Sequence, residues 1–344
     1  MNELSHLIEE SAAKLFEGFA LSNGAEEMEA GVFPEALWQA FINDGWLQTM
    51  LAEEKGGAGL GLAGGCVLMR LAGYYAVPLP VVESLMAVYL LAESGQAVAD
   101  ELYIPVIVKA GLTDAEQFEL AGVPWARYAA GMVLVLPTDN GCSICIVKQQ
   151  DMQLTNGANM AGEPRDDVRI KIQLLRDAKP VDGVSVERIK SWLALGRAAQ
   201  LSGALQRTLE MTVNYATERK QFGREIAKFQ AVQQQVAVQA EHTSAARCAV
   251  DASMAHLGSE QEWECIAAAK ITAGEAAGIS AKTAHAVHAA IGFTQEYSLQ
   301  LSTRRLWSWR DEYGNEAEWS IQLGEYFMQL AGDDIWHQLT KQTA

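Results

Sequence analysis

The chain has 344 residues, 49% hydrophobic and 20% charged, enough apolar material for two or three packed domains and far from a disordered composition. Lys+Arg 26 against Asp+Glu 43 leaves a net charge of -17, and no basic cluster long enough to track a phosphate backbone interrupts it, so nucleic acid is excluded as an expected partner. No apolar run reaches the ~18 residues of a spanning helix, the acidic stretch from Met1 to Ala30 is unlike a signal peptide, and five scattered cysteines suit a reducing compartment. A cytoplasmic protein with no membrane partner is expected.

From Glu3 to about Gln96 the apolar residues recur at helical spacing, as in Leu4, Leu7, Ile8, Ala12 and Leu15, then Val67, Leu68, Leu71 and Ala72. Pro78-Leu79-Pro80 breaks the pattern before a further helix over Val82 to Ala92. The period then shortens. Strands are predicted over Leu102 to Val108, Val133 to Leu136 and Cys142 to Val147, the last two joined by an Asp139-Asn140-Gly141 turn. Val168, Ile170, Ile172 and Leu174 alternate with Arg169, Lys171 and Gln173, the clearest half-buried strand pattern in the chain. After Ser185 the helical period returns in segments from Leu193 to about Lys220, Ile226 to about Leu257, Trp263 to about Ala290, Ser298 to about Arg310 and Glu316 to about Leu339. The expected class is α+β, with an N-terminal helical domain over 1–100, a small, mostly antiparallel β-domain over 101–184 and a C-terminal four-helix bundle with an additional terminal helix over 185–344.

Several local patterns carry less chemistry than their spelling suggests. Gly59, Gly61 and Gly64 form GxGxxG, but no strand precedes them and no βαβ unit follows, so a small-residue loop and helix entry is expected instead of a dinucleotide fold. Cys142 and Cys145 lie on opposite faces of a strand and lack a second pair, and His285 and His288 share a helix face without a carboxylate, so no metal is expected. Glu218-Arg219-Lys220-Gln221-Phe222-Gly223-Arg224 is the most unusual stretch, three cations in an acidic chain beside an aromatic and a glycine. It reads either as helix-end electrostatics with a glycine cap, or as an anion subsite in which Arg219 meets a phosphate and Phe222 packs on a flat apolar group. Arg304, Arg305 and Arg310 among Trp307 and Trp309 suit a subunit interface as well as a ligand.

Tyr215 to Ile226, spelling YATERKQFGREI, together with Phe229-Gln230-Ala231-Val232-Gln233, resembles the flavin-dependent acyl-CoA dehydrogenases. Trp46 with Glu53 to Gly59 is similar to the family's N-terminal stretch, and Gly292 to Tyr297 to its late motif, so the resemblance spans nearly the whole chain. It implies the three-domain fold, FAD as cofactor and an acyl-CoA substrate. It also implies that Arg219 contacts the FAD pyrophosphate of a neighbouring subunit, with Phe222 and Gln233 close to the adenine-dinucleotide half. In the family a glutamate takes the α-proton of the thioester while hydride passes from the β-carbon to the flavin.

The departures from the family's pattern shape the expectation further. Tyr313, followed by Gly314, stands at the usual place of the catalytic glutamate; Glu312 is adjacent, and a one-residue offset turns a side chain by about 100° on a helix. The alternative base position falls near Leu193, before Gly196-Arg197, and also lacks a carboxylate. Ala289-Ala290 replace the family's paired glycines and Ala286 its preceding glutamine, while the segment carrying the family's Thr-Glu and Gly-Ser-Asp signature is compressed into Ala110 to Ala129. This is similar to the short, degenerate subunit of heteromeric dehydrogenases that oxidise steroid side-chain thioesters. The expected function is a subunit of a heteromeric FAD-dependent enzyme forming an α,β-double bond in an acyl-CoA thioester, with a homologous chain as partner. The alternatives are a homomeric dehydrogenase with Glu312 as a relocated base, and a non-enzymatic structural or regulatory homologue that has lost FAD.

Overall fold

The computed structural model describes residues 3–20, 31–98, 100–108, 116–139, 141–181, 183–330 and 332–340. Asn140 of the expected turn, Asp182 within the expected β-domain, and 110–115 of the compressed segment lie outside the described residues. The chain divides into two compact units, Met1–Leu193 and Ala194–Ala344. The class is α+β, as the periodicities indicate.

In the first unit, helices α1 (Glu3–Ala20), α2 (Glu35–Asn43), α3 (Gly61–Tyr74) and α4 (Val81–Glu93) precede the strands. α4 is buried over almost its whole circumference, from Val81 to Leu91, which matches a sequence that is apolar there apart from the buried Glu83 and Ser84 and the tyrosine at 89. Each such aliphatic side chain contributes roughly 1.5–3 kcal/mol when removed from water. The GxGxxG residues form the loop and first turn of α3, with no strand before them.

Two small sheets follow. The first has the order β1-β3-β4-β7, from β1 (Tyr103–Ile107), β3 (Gly131–Thr138), β4 (Gly141–Lys148) and β7 (Lys179–Val181). β1 and β3 are parallel, and the other neighbours are antiparallel. The second sheet is antiparallel with order β2-β6-β5, from β2 (Gln117–Pro124), β6 (Arg165–Lys171) and β5 (Gln153–Thr155). Two expectations need correction here. The alternation through Val168 and Ile170 does not continue as a strand: β6 ends at Lys171 and Ile172–Asp177 is a 3-10 turn. β2 lies inside the compressed segment, where its pattern is interrupted by an irregularity between Leu120 and Val123. Asp166 at the start of β6 is fully buried and accepts hydrogen bonds from Arg127 N at 2.9 Å and Arg127 Nε at 2.9 Å, which fastens the turn after β2. Cys142 and Cys145 are strand residues whose thiols burial pushes up, Cys145 to about 11, so they are inert packing groups.

The 33-residue α5 (Val186–Glu218) carries the chain into the second unit. A short hairpin of β8 (Lys220–Gln221) and β9 (Arg224–Glu225) leads to α6 (Gln230–Ala255), α7 (Glu262–His288), α8 (Leu299–Asp311), α9 (Glu316–Met328) and α10 (Gly332–Thr340). The expected single segment from Glu316 to Leu339 is thus two helices. Ala269, Ala273, Ala276 and Ala277 of α7 are buried, and their small side chains let neighbouring helices approach closely. Gln239 of α6 donates to Ser280 of α7 at 2.9 Å inside that contact, while Ala194, Ala267 and Trp319 join α5, α7 and α9 in one cluster.

Candidate functional site

The YATERKQFGREI segment changes structure in mid-motif. α5 stops at Glu218, and Lys220 and Gln221 pair antiparallel with Glu225 and Arg224. The two loop residues, Phe222 and Gly223, both have positive φ, 51° and 79°, as a two-residue type I′ hairpin requires. Gly223 is therefore a turn residue and not the helix cap that one reading of the sequence made it. Glycine adopts this region freely, whereas a phenylalanine there carries roughly 1–2 kcal/mol of backbone strain. Among the described residues burial does not compensate for it, since Phe222 is 92% exposed and meets Phe229 edge-on at 6.2 Å. The guanidinium of Arg224 lies over Phe229 at 4.2 Å. The exposed side chain of Arg219 has no polar partner among the described residues. Gln233, on the first turn of α6, donates to the Ala227 carbonyl at 2.9 Å. It lines an apolar groove of about 310 Å³ with Val213, Ala216, Val232, Val236 and Ala240. The second unit thus brings a free cation, an outward aromatic and an apolar groove into one short stretch of chain.

The residues expected around a catalytic base sit at the corner between α8 and α9. Glu312 leaves α8 with extended backbone, Tyr313 has φ 57° and Gly314 φ 97°, and Asn315 caps α9 by accepting from Glu318 N. Glycine is required at 314, because a Cβ there would lie 2.8 Å from Trp319 Nε1. The Glu312 carboxylate is 2.7 Å from the guanidinium of Arg197, whose side chain is 2% exposed against 17% for Glu312. The Arg197 guanidinium lies 5.9 Å from the Trp309 ring and 5.6 Å from that of Tyr313. The Tyr313 ring packs against the cluster of Ala194, Ala267 and Trp319. Lys270 is fully buried and donates to the Arg310 carbonyl at 2.6 Å. Burial pushes its ammonium down to about 8, against the opposing pull of Glu312 and Glu316. The hydrogen bond from Arg310 holds Glu316 below the usual carboxylate range. Sequence chemistry does not single out Arg197 or Lys270 as site residues; the readable signal is a lone cation among alanines and leucines on an otherwise apolar helical face.

Beyond α7, Ala289 has φ 53° and ψ -140°, a conformation that only glycine adopts without strain. The resemblance puts the family's paired glycines here, and the backbone at 289 holds a glycine's shape with an alanine in it. His288 is buried with Nδ1 2.8 Å from the Ala284 carbonyl and its ring stacked on Tyr215, and His285 Nε2 lies 2.9 Å from Thr303 Oγ1. Burial lowers the pKa of both imidazoles. Among the described residues no group of histidine, cysteine and carboxylate side chains is arranged to hold a metal ion, and no helix is long and apolar enough to cross a membrane.

The profile of the acyl-CoA dehydrogenase N-terminal domain matches residues 2–110, and that of the acyl-CoA dehydrogenase C-terminal domain matches residues 186–310. The chain belongs to the acyl-CoA dehydrogenase family. The acyl-CoA dehydrogenase IpdE2 of Mycolicibacterium smegmatis is 29% identical over 89% of this chain and 93% of the relative, and IpdE2 of Mycobacterium tuberculosis is 27% identical over 79% and 80%. The ChsE4-ChsE5 complex of Mycobacterium tuberculosis shares the fold with TM-score 0.84 at 18% identity, covering 96% of this chain and 99% of that one. The steroid ACAD Tcur3481-Tcur3483 does so with TM-score 0.82 at 22% identity, over 95% and 98%. FAD is the cofactor that this membership implies. A dinucleotide needs a cation for its pyrophosphate and flat or apolar surface for its adenosine, and the hairpin and groove of this acyl-CoA dehydrogenase homologue offer both. The donor set at the hairpin fits the group.

Proposed function

We propose that this chain is a supporting subunit of a heteromeric FAD-dependent acyl-CoA dehydrogenase that introduces an α,β-double bond into an acyl-CoA thioester, with a steroid side chain as the acyl group. The carrying observation is the outward hairpin, where a free Arg219 and a strained, 92% exposed Phe222 await contacts that this chain does not itself make. Two further points support the reading: the residue at the base's place is a tyrosine, and the relatives include a steroid ACAD. Arg219 would hold the pyrophosphate, Phe222 would pack on the adenosine side, and Gln233 borders the groove that would receive it. When bound, FAD would supply the hydride acceptor for the acyl β-carbon. The α-proton goes to a carboxylate of the partner chain, because a phenol with a reference pKa near 10 is a poor base at neutral pH. The three-part division at 1–100, 101–184 and 185–344 and a cytoplasmic location belong to the same reading.

The test is expression alone and together with a more complete homologous chain, followed by flavin absorbance and acyl-CoA-dependent bleaching. A colourless lone chain that yields a yellow, reducible complex with its partner is the expected result. A lone chain that is yellow and active would favour a homomeric enzyme. A chain that stays flavin-free in every pairing would favour the non-enzymatic reading, to which the alanines at 289 and 290 lend support.

A further inference from the structure

Arg197 and Lys270 are both sealed inside the second unit, and no step above uses either. Arg197 lies on α5 with its guanidinium against Glu312 at 2.7 Å, and Lys270 lies on α7 with Nζ on the Arg310 carbonyl at 2.6 Å. Both grip the same short stretch, the end of α8 and the corner that follows. That corner contains a bulky residue in left-handed backbone, Tyr313 at φ 57°. The strain of such a conformation is offset where surrounding contacts hold the residue in place. Four contacts do so here. The Tyr313 carbonyl accepts from Trp319 Nε1 at 3.1 Å, and its ring lies 5.6 Å from the Arg197 guanidinium. Glu312, the preceding residue, is held by the same guanidinium, and Arg310, two residues before that, is held by Lys270. One planar cation therefore fixes the residue before the strained position through its charge and the strained residue itself through its face. The same guanidinium donates to Gln200 Oε1, and Glu312 supplies it with a carboxylate in a site where it is nearly inaccessible.

We infer that Arg197 is a positioning residue: its ion pair with Glu312 and its contact with the Tyr313 ring hold the left-handed corner between α8 and α9, and Glu312 is thereby a structural counter-ion and not a proton acceptor. The inference rests on the acyl-CoA dehydrogenase reading only in stating what Glu312 does not do. The pairing itself belongs to this chain alone. Arginine is specific to the task, since lysine would keep the charge but lacks the flat face that two aromatic rings border.

The experiment compares wild type with Arg197→Gln, Arg197→Lys, Glu312→Gln and the double variant Arg197→Gln/Glu312→Gln. Urea unfolding midpoints and hydrogen exchange of a peptide spanning 309–316 are read on the purified chain, and single-turnover flavin reduction is read on the FAD-loaded assembly at matched occupancy. Each Gln variant should lower the midpoint and speed exchange in that peptide about tenfold or more, selectively over peptides of β2 and β6. The double variant should be no worse than the worse single one, and Arg197→Lys should recover part of the exchange protection. Glu312→Gln should leave flavin reduction within a few-fold of wild type. Additive losses, unchanged local exchange, or a loss of about 100-fold or more in flavin reduction by Glu312→Gln would overturn the inference. Failure to obtain any flavin-loaded assembly would count against the enzymatic reading, while the midpoints and exchange rates on the chain alone would still decide the pairing.

Discussion

The hairpin at 220–225 and the corner at 312–314 share one local geometry. Each places an aromatic residue at positive φ directly before a glycine at positive φ: Phe222 at 51° before Gly223 at 79°, and Tyr313 at 57° before Gly314 at 97°. Their surroundings are opposite. Tyr313 is held by a ring contact with a guanidinium, a hydrogen bond to its carbonyl and an apolar cluster. Phe222 stands 92% exposed beside an arginine with no polar partner among the described residues. Strain of similar size is compensated within the chain at one place and left open at the other. A closed corner needs nothing from outside, whereas an open hairpin gains its compensation only when something covers it. One aromatic-glycine pair is thus turned inward at 313–314 and the other outward at 222–223.

The comparison breaks most readily at Arg197. Arg197→Met should cost about 3 kcal/mol of unfolding free energy by urea denaturation, because it breaks the ion pair with Glu312 at a site where the arginine side chain is 2% exposed. A loss below about 1 kcal/mol would mean the corner does not depend on the pair. The hairpin should respond in another measurement. Arg219→Ala should change folding stability by less than about 0.5 kcal/mol, yet weaken FAD retention in the assembled complex by about 1.5–3 kcal/mol. Unchanged FAD affinity would remove the hairpin from the cofactor site.

Lys270 sharpens the inward side through pH. Its folded pKa of about 8 lies below the unfolded reference of 10.5, so between those values the unfolded chain binds more protons. Its contribution therefore rises with pH through that window, on the order of 1 kcal/mol per unit, since burying the neutral amine costs less than burying the ammonium. Denaturation curves of wild type and Lys270→Met at about pH 8 and about pH 10, the lower and upper parts of that window, should diverge in that direction; parallel pH dependences would show that the ammonium is not penalised. The smallest effect separates the two aromatics directly. Phe222→Asn should stabilise the lone chain by about 0.5–1 kcal/mol, because asparagine tolerates left-handed backbone and no buried contact is lost. Tyr313→Asn should destabilise it, because the same relief comes with loss of the packed ring. Equal signs in thermal melts would erase the distinction.

Much of the architecture is legible in the sequence because it rests on local periodicity. The helices at 61–74 and 81–93, the β3-β4 hairpin and the long C-terminal helices all follow from apolar spacing and turn residues. Where the reading fails, tertiary packing overrides that spacing. Ile172 and Leu174 continue the alternation of β6, but the register with β2 ends at Gln117 and Lys171, Ile172 N makes one more bond to the Glu116 carbonyl at 3.0 Å, and the chain turns. Gly223 resembles a helix cap until Lys220 and Gln221 find Glu225 and Arg224 across a two-residue loop.

By itself the sequence determined the family, the order of helical and strand regions, the cationic hairpin segment and the absence of a carboxylate at residue 313, since each is a matter of residue identity in a short window. Only the tertiary structure decided which charges are open and which are closed. Arg197, Lys270 and Glu312 are separate along the chain, and their identities alone do not distinguish a surface cation from a sealed one. Packing of α5, α7 and the α8–α9 corner removes water from Arg197 and Lys270 and brings Glu312 and the Arg310 carbonyl within 2.7 and 2.6 Å. Once water is excluded, each remaining charge must be matched by a nearby partner, and that requirement turns a candidate base into a counter-ion.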